Sequence, residues 1–79
     1  MIKVNYEIFG GLKTKLNSSS GTLTIENNTT IEKFVTEILG IDKRYLKYLD
    51  ITVNEKRLPI DRKLKNNCLI RVLMPVGGG

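Results

Sequence analysis

The hydrophobic period of the chain changes twice, and that change confines the fold more than any other feature. Ile2, Val4, Tyr6 and Ile8 alternate with the polar Lys3, Asn5 and Glu7, the period of two expected of a strand with one buried face. Leu23 and Ile25 alternate in the same way within Thr22–Glu26, which predicts a second strand and a hairpin with the first. The period then lengthens. Ile31, Phe34, Val35, Ile38 and Leu39 fall at helical spacing and form one apolar stripe. Thr29-Thr30-Ile31-Glu32 fits a capping box, with the Thr29 hydroxyl and the Glu32 carboxylate satisfying amides at the helix start. Gly40 is a natural left-handed stop. A helix of about two and a half turns is too short to be stable alone, so it must lie on a sheet. Alternation returns over Leu69–Met74, where Ile70 and Val72 share one face and Leu69, Arg71 and Leu73 share the other.

The segments between are shorter. Leu12–Leu16 reads as the start of a return strand, and Asn17–Gly21 as a loop. Asp42 caps a second short helical segment through Tyr45, Leu46 and Leu49. Ile51-Thr52-Val53 is a short strand, Asn54-Glu55-Lys56 a turn, and Arg57-Leu58 pairs back until Pro59, which suits an edge. Ile60 and Leu64 are expected to point inward. The first and last strands carry the densest Ile and Val, which places them in the middle of the sheet. The whole is an α+β two-layer arrangement, a mixed sheet crossed by one main helix.

Composition removes whole classes of function. A chain of 79 residues makes one domain, burying little more than ~60% of the surface its unfolded form exposes. Cys68 is the one cysteine, so there is no internal disulfide and no cysteine-built metal site. Histidine is absent, which removes the commonest general base and the commonest metal ligand. An enzyme with its own active site is not expected, nor a bound cofactor or metal. The first residues alternate in polarity and hold no continuous apolar stretch, so neither a signal peptide nor a membrane span is expected, and the expected location is the cytoplasm. The net charge of +5 raises nucleic acid or an acidic partner surface as possibilities. The basic residues are spread along the chain, however, and no strand is rich in aromatics for base stacking. Lys43, Arg44 and Lys47 read as a solvated face, and Cys68 as a small hydrophobe at the start of a strand.

The last strand runs into Pro75-Val76-Gly77-Gly78-Gly79. Glycine loses the most conformational freedom on ordering, so three in succession cannot serve the fold. The expected division is a domain over 1–74 and a flexible tail over 75–79. This element order and these closing residues resemble the β-grasp family, and within it the ubiquitin-like sulfur carriers: the small subunit of molybdopterin synthase and the carrier protein of thiamin thiazole synthesis. Two stretches carry the resemblance: Ile51-Thr52-Val53-Asn54 ahead of a turn and Leu64, and Val72-Leu73-Met74-Pro75-Val76-Gly77-Gly78-Gly79. The chain departs from the family pattern at Glu55, where a glycine is common, and at Asn66-Asn67-Cys68, where Asp-Gly-Asp is common.

The resemblance implies a function for the glycines. In such carriers the C-terminal carboxylate, here Gly79, is adenylated with ATP by a separate ubiquitin-activating-type enzyme and converted to a thiocarboxylate for cofactor biosynthesis. Gly77 and Gly78 form the narrow neck, because a Cβ would strike the walls of the partner's channel. Pro75 to Gly79 reaches about 17 Å when extended. Arg71, Leu73, Met74, Pro75 and Val76 are the expected docking residues, and an exposed apolar spot beside the tail fits that use. Met74 is as well suited to closing the core.

The implied partners are the adenylating enzyme and the large subunit of molybdopterin synthase or thiazole synthase. Pro75 before Val76 leans toward the molybdopterin branch, whereas the triple glycine is frequent in thiazole carriers. Conjugation of Gly79 to lysines of other proteins is a third use. A β-grasp binding module without C-terminal chemistry is the alternative of a different class.

Overall fold

The computed structural model describes residues 1–75. β1 (Ile2–Phe9) pairs antiparallel with β2 (Ser20–Ile25) and parallel with β4 (Cys68–Leu73), and β4 pairs antiparallel with β3 (Asp50–Val53). The order is β2-β1-β4-β3. The two strands richest in Ile and Val therefore occupy the centre, as their patterns predict. Tyr6 stands opposite Ile70, and Ile8 opposite Val72. Val4, Tyr6, Ile8, Ile70 and Val72 are all buried, so period two carries the whole inner face of both strands.

The helix covers that face. It comprises α1 (Ile31–Lys33) and a wide continuation over Phe34–Ile38, in which the Leu39 amide donates to the Phe34 carbonyl at 2.9 Å, one residue farther than in an α-turn. Ile31, Phe34, Val35 and Leu39 are 0–1% exposed. Ile38, the remaining member of the predicted stripe, is half-buried. Ile25, Ile41, Val53, Leu64 and Cys68 complete the core.

The helix ends are satisfied from distant parts of the chain. Thr30, rather than Thr29, is the N-cap, and its hydroxyl accepts from the Lys33 amide at 3.1 Å. Thr29 is buried, donates its hydroxyl to the Glu26 carbonyl at 2.7 Å, and accepts the Leu64 amide on its own carbonyl. The box with Glu32 therefore does not form. The first helical amides are met instead by the backbone of the 59–62 turn: Ile31 donates to Arg62 at 2.9 Å and Glu32 to Ile60 at 2.8 Å. This duty shapes the segment. Arg57-Leu58 does not pair back as a strand, and Ile60 is 40% exposed where an inward anchor was expected; Leu64 is buried as expected.

At the other end Gly40 takes φ +78. The Lys15 amide donates to the Leu39 carbonyl at 2.8 Å, and its ammonium to the Glu37 carbonyl at 3.3 Å, a cation placed at the negative end of the helix dipole. Residues 12–16 are thus a helix cap and not a return strand. Asp42 caps the short 3₁₀ helix Lys43–Tyr48 by accepting from the Arg44 amide at 3.0 Å.

Candidate functional site

The site is built where β4 ends. The outward residues of β1, β4 and the edge strand β3 stand in rows set by register: Glu7, Arg71 and Thr52, then Phe9, Leu73 and Asp50. In the first row Arg71 Nε donates to Glu7 Oε1 at 2.6 Å, and this hydrogen bond with the adjacent charge raises the Arg71 guanidinium above its ordinary value. In the next row Phe9 is 48% exposed and Leu73 37% exposed, two apolar groups side by side in water. Asp50 flanks them with the Arg57 guanidinium 3.1 Å from its Oδ1. Among the described residues Oδ1 takes no hydrogen bond of good geometry.

Beyond Leu73 the chain leaves the sheet. Met74 is half-buried and lines a cavity of about 350 Å³ with Gly10, Leu12, Ile41 and Tyr45. It contributes both to closing the core and to the surface. Pro75 is exposed. Gly10 makes this exit possible. It lies at φ +84, and a Cβ on it would stand 2.5 Å from the Met74 carbonyl oxygen, a separation side-chain carbons do not tolerate. Glycine is needed here for both reasons.

The expected docking residues are thereby located. Arg71 and Leu73 share the open sheet face with Glu7 and Phe9, Met74 lies at its rim and Pro75 just past it. Val76, Gly77, Gly78 and Gly79 lie outside the described residues. Phe9 and Gly10 were not among the residues expected from sequence. Phe9 had a signal, since it is apolar in the polar register of Lys3, Asn5 and Glu7. Gly10 had none, because its partner is 64 residues away.

Lys43, Arg44 and Lys47 lie on the 3₁₀ helix, whose Tyr45 shares the cavity beside Met74. Lys43 is 3.8 Å from Glu32 and Arg44 3.5 Å from Asp42, while Arg44 and Lys47 lie over the rings of Tyr45 and Tyr48. They behave as a solvated face. Cys68 is buried in the core, and burial raises its thiol above the ordinary value. Among the described residues no three His, Cys, Asp or Glu side chains gather as metal ligands, and no helix is long and apolar enough to cross a membrane.

Two solved structures superpose on nearly the whole chain. One is a protein from Pyrococcus furiosus described as molybdopterin converting factor, subunit 1, with a TM-score of 0.73 over 96% of this chain and 100% of that one, at 16% identity. The other is SAMP1 from Haloferax volcanii, with a TM-score of 0.75 over 98% of this chain and 99% of that one, at 12% identity. The chain has the β-grasp fold. No protein-family model and no curated protein matches the sequence, so the likeness is one of architecture. In this β-grasp domain the exit of β4, the Phe9–Leu73 pair and the Glu7–Arg71 pair form one continuous candidate surface.

Proposed function

We propose that this β-grasp protein is a ubiquitin-like sulfur carrier, a reagent more than a catalyst, whose working group is the carboxylate of Gly79. The observation that supports this most is the junction at Pro75. A central strand ends beside an exposed apolar pair, and the sequence that follows it is Pro75-Val76-Gly77-Gly78-Gly79. In this reading residues 75–79 are a thread thin enough for a partner's channel, and the Phe9–Leu73 face docks the body against that partner.

The chemistry explains the need for a partner. A carboxylate is a poor electrophile, because its charge repels nucleophiles. An activating enzyme lets the Gly79 carboxylate attack the α-phosphorus of ATP, with pyrophosphate leaving. In the acyl-adenylate formed, AMP is a good leaving group. A sulfide-level donor then attacks the acyl carbon, the bond to AMP breaks, and a thiocarboxylate remains. The carrier itself contributes reach, a neck without Cβ atoms and a docking face, and uses no bound cofactor. The destination favoured is the large subunit of molybdopterin synthase, in keeping with the Pyrococcus furiosus protein of the same fold.

The test is intact-mass analysis after incubation with ATP, an activating enzyme and a sulfur donor. One sulfur in place of one oxygen, lost when Gly79 is deleted, is the expected result. An unchanged mass with an enzyme that activates another carrier would show a binding module without C-terminal chemistry. Supplying the product to molybdopterin synthase or thiazole synthase large components, or searching for lysine conjugates, then separates the destinations.

A further inference from the structure

Lys43, Arg44, Arg57 and Arg71 each stand within hydrogen-bonding or ion-pair distance of a carboxylate. Lys56, Arg62, Lys63 and Lys65 take part in no ion pair among the described residues, and all four line one cavity of about 190 Å³ whose walls include Val53 and Cys68. No carboxylate lines it among the described residues. The sequence shows the same bias, since residues 56–65 hold five basic side chains against the single acid Asp61.

Four like-charged residues border this one cavity, and with no carboxylate among its described lining their charges repel one another. An oxyanion reverses the sign of that interaction. Three lysines and an arginine carry several donors each, which suits the tetrahedral oxygens of a phosphate group. The cavity of about 190 Å³ exceeds what a single water needs and admits a phosphate group that keeps part of its hydration. The cavity adjoins the start of β4 at Cys68, whereas Pro75 follows its end, and five strand residues put about 16 Å between Cys68 and Leu73.

We propose that this cavity is an anion site for a small phosphate-bearing molecule, at the opposite pole from the C-terminal exit and independent of chemistry at Gly79. It binds through phosphate oxygens, and the minimal ligand is pyrophosphate.

Titration of the whole chain with pyrophosphate at constant ionic strength, followed by amide NMR, tests this. Saturable shifts centred on residues 56, 62, 63 and 65 are expected. K56Q/K63Q should weaken binding about tenfold or more, the loss of at least one charge-assisted hydrogen bond, whereas K43Q/K47Q should leave it unchanged. A nucleoside diphosphate run in parallel identifies the source: tighter binding than pyrophosphate marks a nucleotide, equal or weaker binding a free phosphate. Pyrophosphate should also raise the Tm of the wild type and not that of K56Q/K63Q, which in phosphate-free buffer should be at least as stable as the wild type. Shifts spread over all lysines in proportion to salt, or binding unchanged in K56Q/K63Q, would overturn the proposal.

Discussion

A Cβ placed on Gly10 would stand 2.5 Å from the carbonyl oxygen of Met74, so the close approach of these two backbones decides where the chain leaves the sheet. Gly10→Ala must push Met74 away and also hold φ +84 with a side chain. It should lower stability by about 2 kcal/mol or more, from left-handed strain plus displacement. Gly11 sits at φ +69 with nothing within 4 Å of its Cβ position, so Gly11→Ala should cost only the left-handed penalty of ~1–2 kcal/mol. Urea unfolding of the two variants measures the difference. In an activation assay G10A should also lose rate at temperatures where it remains folded, because Pro75 then starts from a displaced root.

Glu55 stores strain. Asn54 and Glu55 lie at φ +52 and +68 between the reciprocal hydrogen bonds of Val53 and Lys56, the geometry of a two-residue hairpin turn that favours Asn-Gly. The family's common glycine is absent here, yet the turn forms. Glu55→Gly should therefore stabilise by about 1 kcal/mol, raising Tm by roughly 4–8 °C for a domain of this size. A fall in Tm on calorimetry would show that the Glu55 side chain offsets its backbone cost.

The proposed docking face should separate stability from recognition. Phe9 and Leu73 are exposed, so Phe9→Glu and Leu73→Glu should shift stability by less than about 1 kcal/mol while raising the apparent KM for the activating enzyme at least severalfold. Arg71→Ala removes a solvent-exposed ion pair that adds little to stability and should act in the same direction. Lys47→Gln, whose ammonium lies over the Tyr48 ring and which is not in the Phe9–Leu73–Asp50 row, is the control and should change neither quantity. Equal kinetics for all four variants would remove this face from the interface.

Cys68 is 2% exposed, and burial raises its pKa above the ordinary 9.0, opposed only by backbone hydrogen bonds. The folded state favours the neutral thiol. Its contribution is complete below the unfolded value and is lost as pH rises through the folded one, so stability should decline from pH 9 upward more steeply than in Cys68→Ala. Alkylation by iodoacetamide at pH 8 should be slow in the native protein and rapid in urea. Fast native labelling would contradict the buried, protonated assignment.

Deleting Gly79 should leave the unfolding midpoint essentially unchanged, because every buried hydrophobic residue described falls between Val4 and Val72. Activation should vanish. Calorimetry and intact mass on the same preparation read the two effects, and a large loss of stability would give the last glycine a structural role.

Much of the interior could be read directly. Alternation named Val4, Tyr6, Ile8, Ile70 and Val72, and helical spacing named Ile31, Phe34, Val35 and Leu39, since the burial of a regular element follows its own repeat. The capping residue could not be read the same way. Thr29 and Thr30 are adjacent and equally able to cap, and the choice falls to Thr30 because Thr29 is buried on Glu26 and Leu64. Ile60 looked like an anchor by hydrophobicity alone, but its backbone carbonyl serves the Glu32 amide and its side chain stays partly in water. The candidate site divides likewise. Arg71 and Leu73 were visible as the outward face of the last strand, whereas their neighbours Glu7 and Phe9 come from the first.

The amino-acid order by itself determined which residues turn inward along each strand and helix, where the chain bends, and that Pro75 and the glycines follow the last strand. Those properties depend on neighbours a few positions apart. The pairing of Gly10 with Met74, of Glu7 with Arg71, and of the helix ends with Lys15 and the 59–62 turn was settled only by tertiary structure. Each joins backbone or charge across stretches of chain whose local pattern carries no information about the other, and it is the shared core that brings them within reach.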